Sequence, residues 1–524
     1  MIDFFFAALP IALLIFAMTK KHPVPSSIAF AFAATLTYLL RLAWFGDGIT
    51  LLNAAVLVGL LDALTPIAIL FGAIFFFVAM EKSGAMRVLQ NWLKGISPNP
   101  IARIMLAGWS FIFLIEGAAG FGTPAALAAP VLVGLGFPPL RVAVLCLIFN
   151  AIPTTFGAVG TPVWFAFEVL DLPPGTLTAL SGYTALLQTL VGLVLPAAAL
   201  RYLVPWSVIW RNLIFIQLSV LASVLPMFFV ARFNYEFPAV IGGVVGLPVT
   251  ILLARFGIGL ERTAGTASEH LFSWRILRAL APLAATVAIL LITRIPAFGL
   301  RQWLTASEPY LALPLVPLGT FTVSQSLVLT LHNILDQDLH WTHALLYVPS
   351  LVPFVFSSGV AFALFRPALR VWRDAFRETA TRVATPVIVL FGALVFVSLL
   401  MIGGERSSTH ILGQTLAATS GDAWKYLAPF LGALGTFFSG STTISNLTFG
   451  KIQLSIAEDT GIAPAVILAL QTAGAAMGNI ICIHNIISVG AVLSLSGVEG
   501  RILKDVLPAV GLYGLILVIA AAFL

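Results

Sequence analysis

Apolar and polar positions along the chain alternate in long blocks rather than at the short periods of a soluble fold. Apolar runs fall at 4–18, 25–42, 52–80, 142–170, 184–204, 212–231, 236–255, 274–296, 343–365, 383–403, 463–495 and 507–524, separated by short polar or basic joints. A helix rises about 1.5 Å per residue and a hydrocarbon core is about 30 Å thick, so runs of roughly 20 residues predict about twelve membrane-spanning helices. Two further segments, 104–137 and 425–457, are too broken by glycine and polar residues to be plain spans and too apolar to be loops in water. Their arms, such as Ile104 to Glu116 and Thr123 to Gly136, reach only about 20 Å as helices. Each is therefore expected to enter the membrane and turn back as a re-entrant hairpin.

Two of the runs are interrupted. The first, 142–170, carries Asn150, Pro153, Thr154, Thr155, Gly157, Gly160 and Pro162; the second, 463–495, carries Gln471, Gly474, Gly478, Asn479, His484 and Asn485. Proline removes a donor and glycine weakens a helix, so both are expected to unwind midway. The order of spans, hairpin and interrupted helix over 1–204 recurs over 274–524 from the opposite side, with 205–273 joining the halves. The fold class expected is an all-α polytopic membrane protein built as an inverted-topology repeat, the arrangement of secondary transporters.

Composition agrees: 60% of 524 residues are hydrophobic, 9% are charged, and the mean hydropathy is +1.05. No soluble domain hides that much apolar surface. The net charge of +6 would point to nucleic acid in a soluble protein, but here the basic residues occupy short joints, where they set topology. Lys20, Lys21, Lys82, Arg87, Arg141, Arg201, Arg255, Arg366 and Arg501 can all face the cytoplasm if 309–335 does not cross, which leaves both termini outside. The opening MIDFFFAALPIALLIFAM lacks a basic leader and is read as a retained first span. Cys146 and Cys482 lie far apart in helical patterns and are expected as small packing residues. The stretch HNILDQDLHWTH (332–343) has no recognised ligand spacing and is expected to be a solvated loop, with no metal site. RPALRVWRDAFRETATR (366–382) is expected to be a cytoplasmic connector.

The chemistry concentrates at the hairpin tips and the helix breaks. The first tip, EGAAGFGTP, offers Glu116, Gly120, Gly122 and Thr123; the second, GTFFSGSTTISN, offers Ser439, Ser441, Thr442, Thr443 and Asn446. Helices starting after each tip would aim unpaired N–H groups and the positive end of the dipole at one point, a setting for an anion. Asn150, Thr154, Thr155, Gln471, Asn479, His484 and Asn485 at the breaks complete the candidate binding set. Close packing by small residues is the plain alternative for any one of them. A carboxyl withdrawn from water favours its neutral form, so Glu116 leads the candidates for carrying a proton, with Asp62, read as mid-span, and His484 behind it. No H-E-x-x-H or G-x-S-x-G motif is present, which speaks against a membrane enzyme. The central polar spots also differ from the continuous lining of a pore.

EGAAGFGTP, the following VLVGLGFPPLRVAVLCLIFNAIPTTFGAVGTP, FGAIFFFVAMEKSGAM (71–86), GSTTISN and GNIICIHN (478–485) resemble the bacterial L-lactate permease family. The resemblance covers nearly the whole chain. It implies a proton-coupled importer of lactate, glycolate and related 2-hydroxymonocarboxylates in the inner membrane, with the lipid bilayer and a small carboxylate as partners and no cofactor beyond the co-transported proton. Coupling to sodium is the alternative. Oligomeric state is left open.

Overall fold

The computed structural model describes residues 2–19, 24–120, 123–262, 273–294, 298–348, 351–493, 495 and 498–524. Lys20, Lys21 and Gly122 lie outside the described residues, as do the side chains of Lys94, Thr123 and His484. Among the described residues, nine helices are long and apolar enough to cross a membrane. A tenth is reached if Pro139–Ala151 and Pro153–Gly160, bent by 46°, count as one. Ile2–Ala17 and Val352–Phe365 are shorter apolar helices. The chain is a helical, multi-pass membrane protein, as its hydropathy implies.

It is not purely helical. Residues 309–344 form an antiparallel meander of β1 (Pro309–Leu315), β2 (Gly319–Ser324), β3 (Val328–His332) and β4 (Trp341–Ala344). Leu313 sits opposite Phe321, Thr322 opposite Thr330, and Leu331 opposite Trp341. The expected span 343–365 therefore begins inside β4, and among its described residues the α-helix is Val352–Phe365. Leucine, valine and threonine runs satisfy a hydropathy window whether they are strands or spans, which is why the pattern alone misassigned this one. The stretch 332–343 is likewise no loop: it ends β3, makes a 3₁₀ turn and supplies β4, with His343 buried.

The described chain divides into two compact units, residues 1–86 with 277–416 and residues 87–276 with 417–524. Each draws on both halves of the sequence.

In the first unit the helix Leu64–Lys82 has 19 residues, close to the thickness of a hydrocarbon core. At its end Lys82 pairs with Glu378 at 2.7 Å, and Glu378 also bonds Arg382. At its start the Thr65 hydroxyl meets His343 Nδ1 at 2.7 Å. The sheet and the ion-pair cluster thus meet opposite ends of the helix Leu64–Lys82. Asp62 closes the preceding helix Ile49–Asp62, inside the apolar stretch Ile49–Lys82 that the two helices form together. Ala54 of that helix, flanked by Leu57, Val58 and Leu61, packs on Leu331, Ile334 and Trp341. Arg41 is fully buried, bonded to Asp47 at 2.5 Å and to the Arg406 carbonyl at 2.7 Å, with its guanidinium 4.7 Å from the Phe45 ring centroid. Such pairing is what a cation needs where water is scarce. The basic connector is helical and continues into the next span as Leu369–Met401.

The second unit contains both hairpins. Phe111–Ala119 ends at Gly120 (φ +65°), and Thr123–Val133 packs back against it and against the π-helical turn Met105–Ser110. Trp424–Ser439 ends at Gly440 (φ +77°), and Thr442–Thr460 returns, with the Ser445 hydroxyl on the Gly432 carbonyl at 2.7 Å and the Gln453 amide on the Ala428 carbonyl at 3.2 Å. Both interrupted helices are present. Pro139–Ala151 gives way to a 3₁₀ turn, Pro153–Phe156, and then to left-handed Ala158, Val159 and Gly160. The second break corrects the expectation drawn from glycine. Gly474 and Gly478 stay inside the helix Pro464–Ile481, and the helix opens at the buried Cys482 (ψ 123°) before Ile483–Val492. A Cβ on Gly474 would stand 1.8 Å from the Pro429 carbonyl oxygen, and one on Gly478 2.2 Å from that of Ala433. The helical cost of each glycine, about 1 kcal/mol, is offset by the close approach of the hairpin arm.

Gly474→Ala should lower stability by about 1–3 kcal/mol through overpacking, read by denaturation in detergent, whereas Gly182→Ala, with open space around it, should not. Burial holds the His343 imidazole below its usual range. The fold then binds fewer protons there than the unfolded chain, so this stabilisation is present above about pH 6.5 and is lost as pH falls below it. Proteolysis within 309–344 should accelerate between pH 7.5 and pH 5, and His343→Gln should flatten that dependence.

Candidate functional site

The first tip, the first helix break, the second tip and the second interrupted helix meet around one cavity in the second unit. Its wall is formed by Glu116 and Gly120, by Thr154, Gly157, Ala158 and Pro162, by Gly440, Ser441, Thr442 and Thr443, and by Asn479. Its volume is about 30 Å³, on a measure in which one water takes roughly 10–15 Å³. In this conformation it has room for about two waters.

Glu116 is buried, and its Oε1 accepts the Thr154 hydroxyl at 2.7 Å. Thr154 Oγ1 in turn lies 3.4 Å from the amide nitrogens of both Asn150 and Asn479. Asn485 donates to Asn479 Oδ1 at 2.6 Å and to the Asn479 backbone carbonyl at 3.3 Å. That second bond fixes the direction of the row, because a carbonyl only accepts. Donation runs from Asn485 to Asn479 to Thr154 to Glu116. Asn150 also stands beside the Glu116 carboxyl. Gly157 is required here: a Cβ would stand 2.6 Å from Glu116 Oε1.

Facing Glu116 is the start of the 19-residue helix Thr442–Thr460. Ser441 is its N-cap, accepting from the Ile444 N–H at 3.3 Å, and Thr442 and Thr443 are its first two residues. The cavity therefore contains a helix N-terminus with its partial positive charge and a carboxyl side chain. Of the buried polar atoms without a hydrogen-bond partner among the described residues, three lie at or next to the cavity: Glu116 Oε2, Asn150 Oδ1 and Thr442 Oγ1. Buried polar groups are seldom left so unless something else binds them.

Of the residues anticipated from the sequence, Glu116, Gly120, Thr154, Ser441, Thr442, Thr443 and Asn479 line the cavity, with Asn150 and Asn485 immediately behind as partners. Others are held elsewhere. Thr155 bonds the Ile152 carbonyl at 2.9 Å, and Ser439 bonds the Gly435 carbonyl at 2.7 Å. The Asn446 amide donates to the Pro162 carbonyl at 2.8 Å and to Thr472 at 3.1 Å. Gln471 accepts from Gln453 at 2.8 Å and donates to Ser445 at 3.2 Å. Asp62 belongs to the other unit. Gly117, beside Glu116, admits the backbone at Ala239 and Val240. Gly157, Ala158, Pro162 and Gly440 were missed as lining residues. The Gly-Thr-Pro that 160–162 shares with 122–124 is the signal that would have marked this segment.

A multi-pass helical protein with paired hairpins around a small polar cavity is a membrane carrier in class. The family model for L-lactate permease matches residues 3–524. A Haemophilus influenzae protein, named only provisionally as an L-lactate permease, is 42% identical over 525 residues, covering 100% of this chain and 99% of the relative. The L-lactate permease of Escherichia coli K12 is 27% identical over 522 residues, covering 95% and 91%. The glycolate permease GlcA of the same strain is 26% identical over 541 residues, covering 96% and 90%. Among solved structures, the Alcanivorax borkumensis YdaH transporter aligns over 99% of this chain and 96% of its own with a TM-score of 0.45 and 16% identity. The chain belongs to the L-lactate permease family. Its members are named as permeases, transporters rather than enzymes.

Thr154→Val removes the donor to Glu116 and the acceptor of two amides. Uptake into proteoliposomes should fall roughly tenfold to a hundredfold, as for loss of a hydrogen bond to a charged group, while Thr154→Ser retains most of the rate.

Proposed function

We propose that the chain is a secondary carrier that imports L-lactate and related 2-hydroxymonocarboxylates such as glycolate together with a proton, across the bacterial inner membrane, with both termini outside the cytoplasm. The names of its relatives support the substrate class. The observation that carries the coupling is the position of Glu116, which shares a cavity with the N-terminus of Thr442–Thr460 and has one oxygen unpaired.

A carboxylate substrate at that N-terminus would meet the backbone N–H groups and the unpaired Thr442 hydroxyl. It would also meet Glu116. Two like charges about 4 Å apart repel by about 4 kcal/mol at the effective dielectric of a protein site, so the anion binds best when Glu116 carries a proton. Anion and proton then favour one another and travel as a pair. The pair is neutral, which cancels a cost of about 2.3 kcal/mol per charge per 100 mV for moving an anion toward the negative side. Asn479 on the wall, and Asn150 with its carbonyl oxygen unpaired, are the amides offered to the substrate hydroxyl. A site that pairs such a group discriminates against analogues without it. The substrate is several times larger than a water, so loading requires the tips to part, consistent with alternating access.

The test is uptake of labelled L-lactate into sealed vesicles. An inward proton gradient should drive accumulation and a sodium gradient at constant pH should not. Sodium-driven uptake insensitive to uncouplers would replace the proton with sodium. Glu116→Gln should exchange substrate across the membrane yet fail to accumulate it with pH, and full proton-driven accumulation in that variant would remove Glu116 from coupling.

A further inference from the structure

The side chains on the cavity wall divide by chemistry. Most carry a carboxyl, hydroxyl or amide group; among the described residues the apolar ones are Ala158 and Pro162, both supplied by the first break. The backbone that presents them is held in an unfavourable form. Ala158 (φ 46°), Val159 (φ 59°) and Gly160 (φ 72°) follow one another in the left-handed region, where a Cβ crowds the following carbonyl oxygen. Glycine takes that conformation freely, and the chain places it at 160 but not at 158. Strain kept on the wall of a site, where a plainer residue would relieve it, points to a use for the side chain.

The Ala158 methyl is also fixed in place. The Ala158 carbonyl accepts the Thr161 hydroxyl at 2.5 Å, and the Val159 carbonyl accepts the Trp164 indole at 2.9 Å. Gly160 lies so close to the segment before the helix Pro238–Phe256 that a Cβ on it would stand 2.1 Å from the Tyr235 carbonyl oxygen. Across the cavity wall, a Cβ on Gly120 would stand 2.9 Å from the Ala158 methyl. Pro162 is anchored through its carbonyl, which accepts the Asn446 amide at 2.8 Å. A close-packed wall braced on each side gives little ground to a larger group.

We infer that Ala158, backed by Pro162, sets the size of the substituent that the carrier accepts on the carbon bearing the hydroxyl. This rests on the reading of the cavity as the site of a 2-hydroxymonocarboxylate. On that carbon the carboxylate is drawn to the helix N-terminus and the hydroxyl to an amide. What remains is a hydrogen in glycolate and a methyl in lactate, and the apolar patch is the part of the wall that suits either. An ethyl group has to displace the Ala158 methyl, which the clamped turn resists.

Ala158→Gly is the deciding variant, because glycine suits a left-handed φ and the substitution relieves the fold rather than straining it. Uptake of labelled L-lactate into proteoliposomes is measured against unlabelled L-lactate or L-2-hydroxybutyrate as competitor. In the wild type the half-inhibiting concentration should be at least about tenfold higher for hydroxybutyrate, since one methylene in a fitted pocket is worth about 10–200-fold. In Ala158→Gly the ratio should fall to about twofold or less. Ser441→Ala, on the facing tip, should lower uptake without moving the ratio. If the glycine variant transports too slowly to read, the same ratio follows from the rise in melting temperature that each acid gives the purified chain. A wild type that takes both acids equally, a ratio unchanged in Ala158→Gly, or one moved as far by Ser441→Ala would overturn the role of Ala158 and leave the substrate class standing. A wild type that takes up no L-lactate would overturn both.

Discussion

Inside a bilayer a polar group has no water to turn to, and every irregular piece of backbone must find its partner within the protein. The second unit depends on this constraint. Two hairpins and two broken helices each expose groups that lipid would not satisfy, and the fold solves all four problems at one place. The Pro162 carbonyl, freed by the first break, is taken by the Asn446 amide of the second hairpin. Thr154, on the 3₁₀ turn of the first break, is reached by Asn479 from the second interrupted helix. The same unsatisfied groups that make these segments expensive apart make them adhere together, and what is left over is a cavity with two unpaired polar atoms on its wall and a third, on Asn150, just behind.

Behind the cavity a second polar row does purely supporting work. The Trp424 indole donates to Gln453 at 2.6 Å, Gln453 to Gln471, and Gln471 to Ser445 and Asn446. It ties both arms of the second hairpin to the helix Pro464–Ile481 by groups that have no role at the wall. The glycines of these helices belong to the same design. Gly432 would place a Cβ 2.1 Å from the Gln471 carbonyl oxygen, and Gly435 one 2.3 Å from the Ser445 hydroxyl. Backbones close enough to exclude a methyl group let short side chains reach one another.

Much of this was readable from the residues. The turns at Gly120 and Gly440 were legible because glycine and polar residues interrupt apolar runs there, and the first break because Pro153 cannot continue a helix. The cavity wall was legible where hydroxyls stand in an apolar run. What escaped notice follows from physics that a linear pattern does not contain. Gly474 and Gly478 have the composition of a break, and only the facing carbonyls of Pro429 and Ala433 reveal them as packing positions. Asn446 and Gln471 look like ligands by type, and their partners, distant in sequence, show them to be braces. Asp62 lies in the apolar stretch Ile49–Lys82 where the run places it, but in the unit that does not hold the cavity. The sheet was hidden because leucine and threonine satisfy both a strand and a span.

The two oxygens of Glu116 have different duties. Oε1 is held by Thr154 at the end of a row whose donors all point the same way, while Oε2 is unclaimed. A hydroxyl reverses by turning about one bond, but an amide must roll over completely, so the row from Asn485 is stiff everywhere except at its last member. A proton arriving on Oε2 leaves Oε1 an acceptor and asks none of those amides to move. One oxygen of the carboxyl holds to the scaffold of broken helices and the other stands clear of it, so whatever meets Oε2 does so without rebuilding the joint on which the carboxyl hangs.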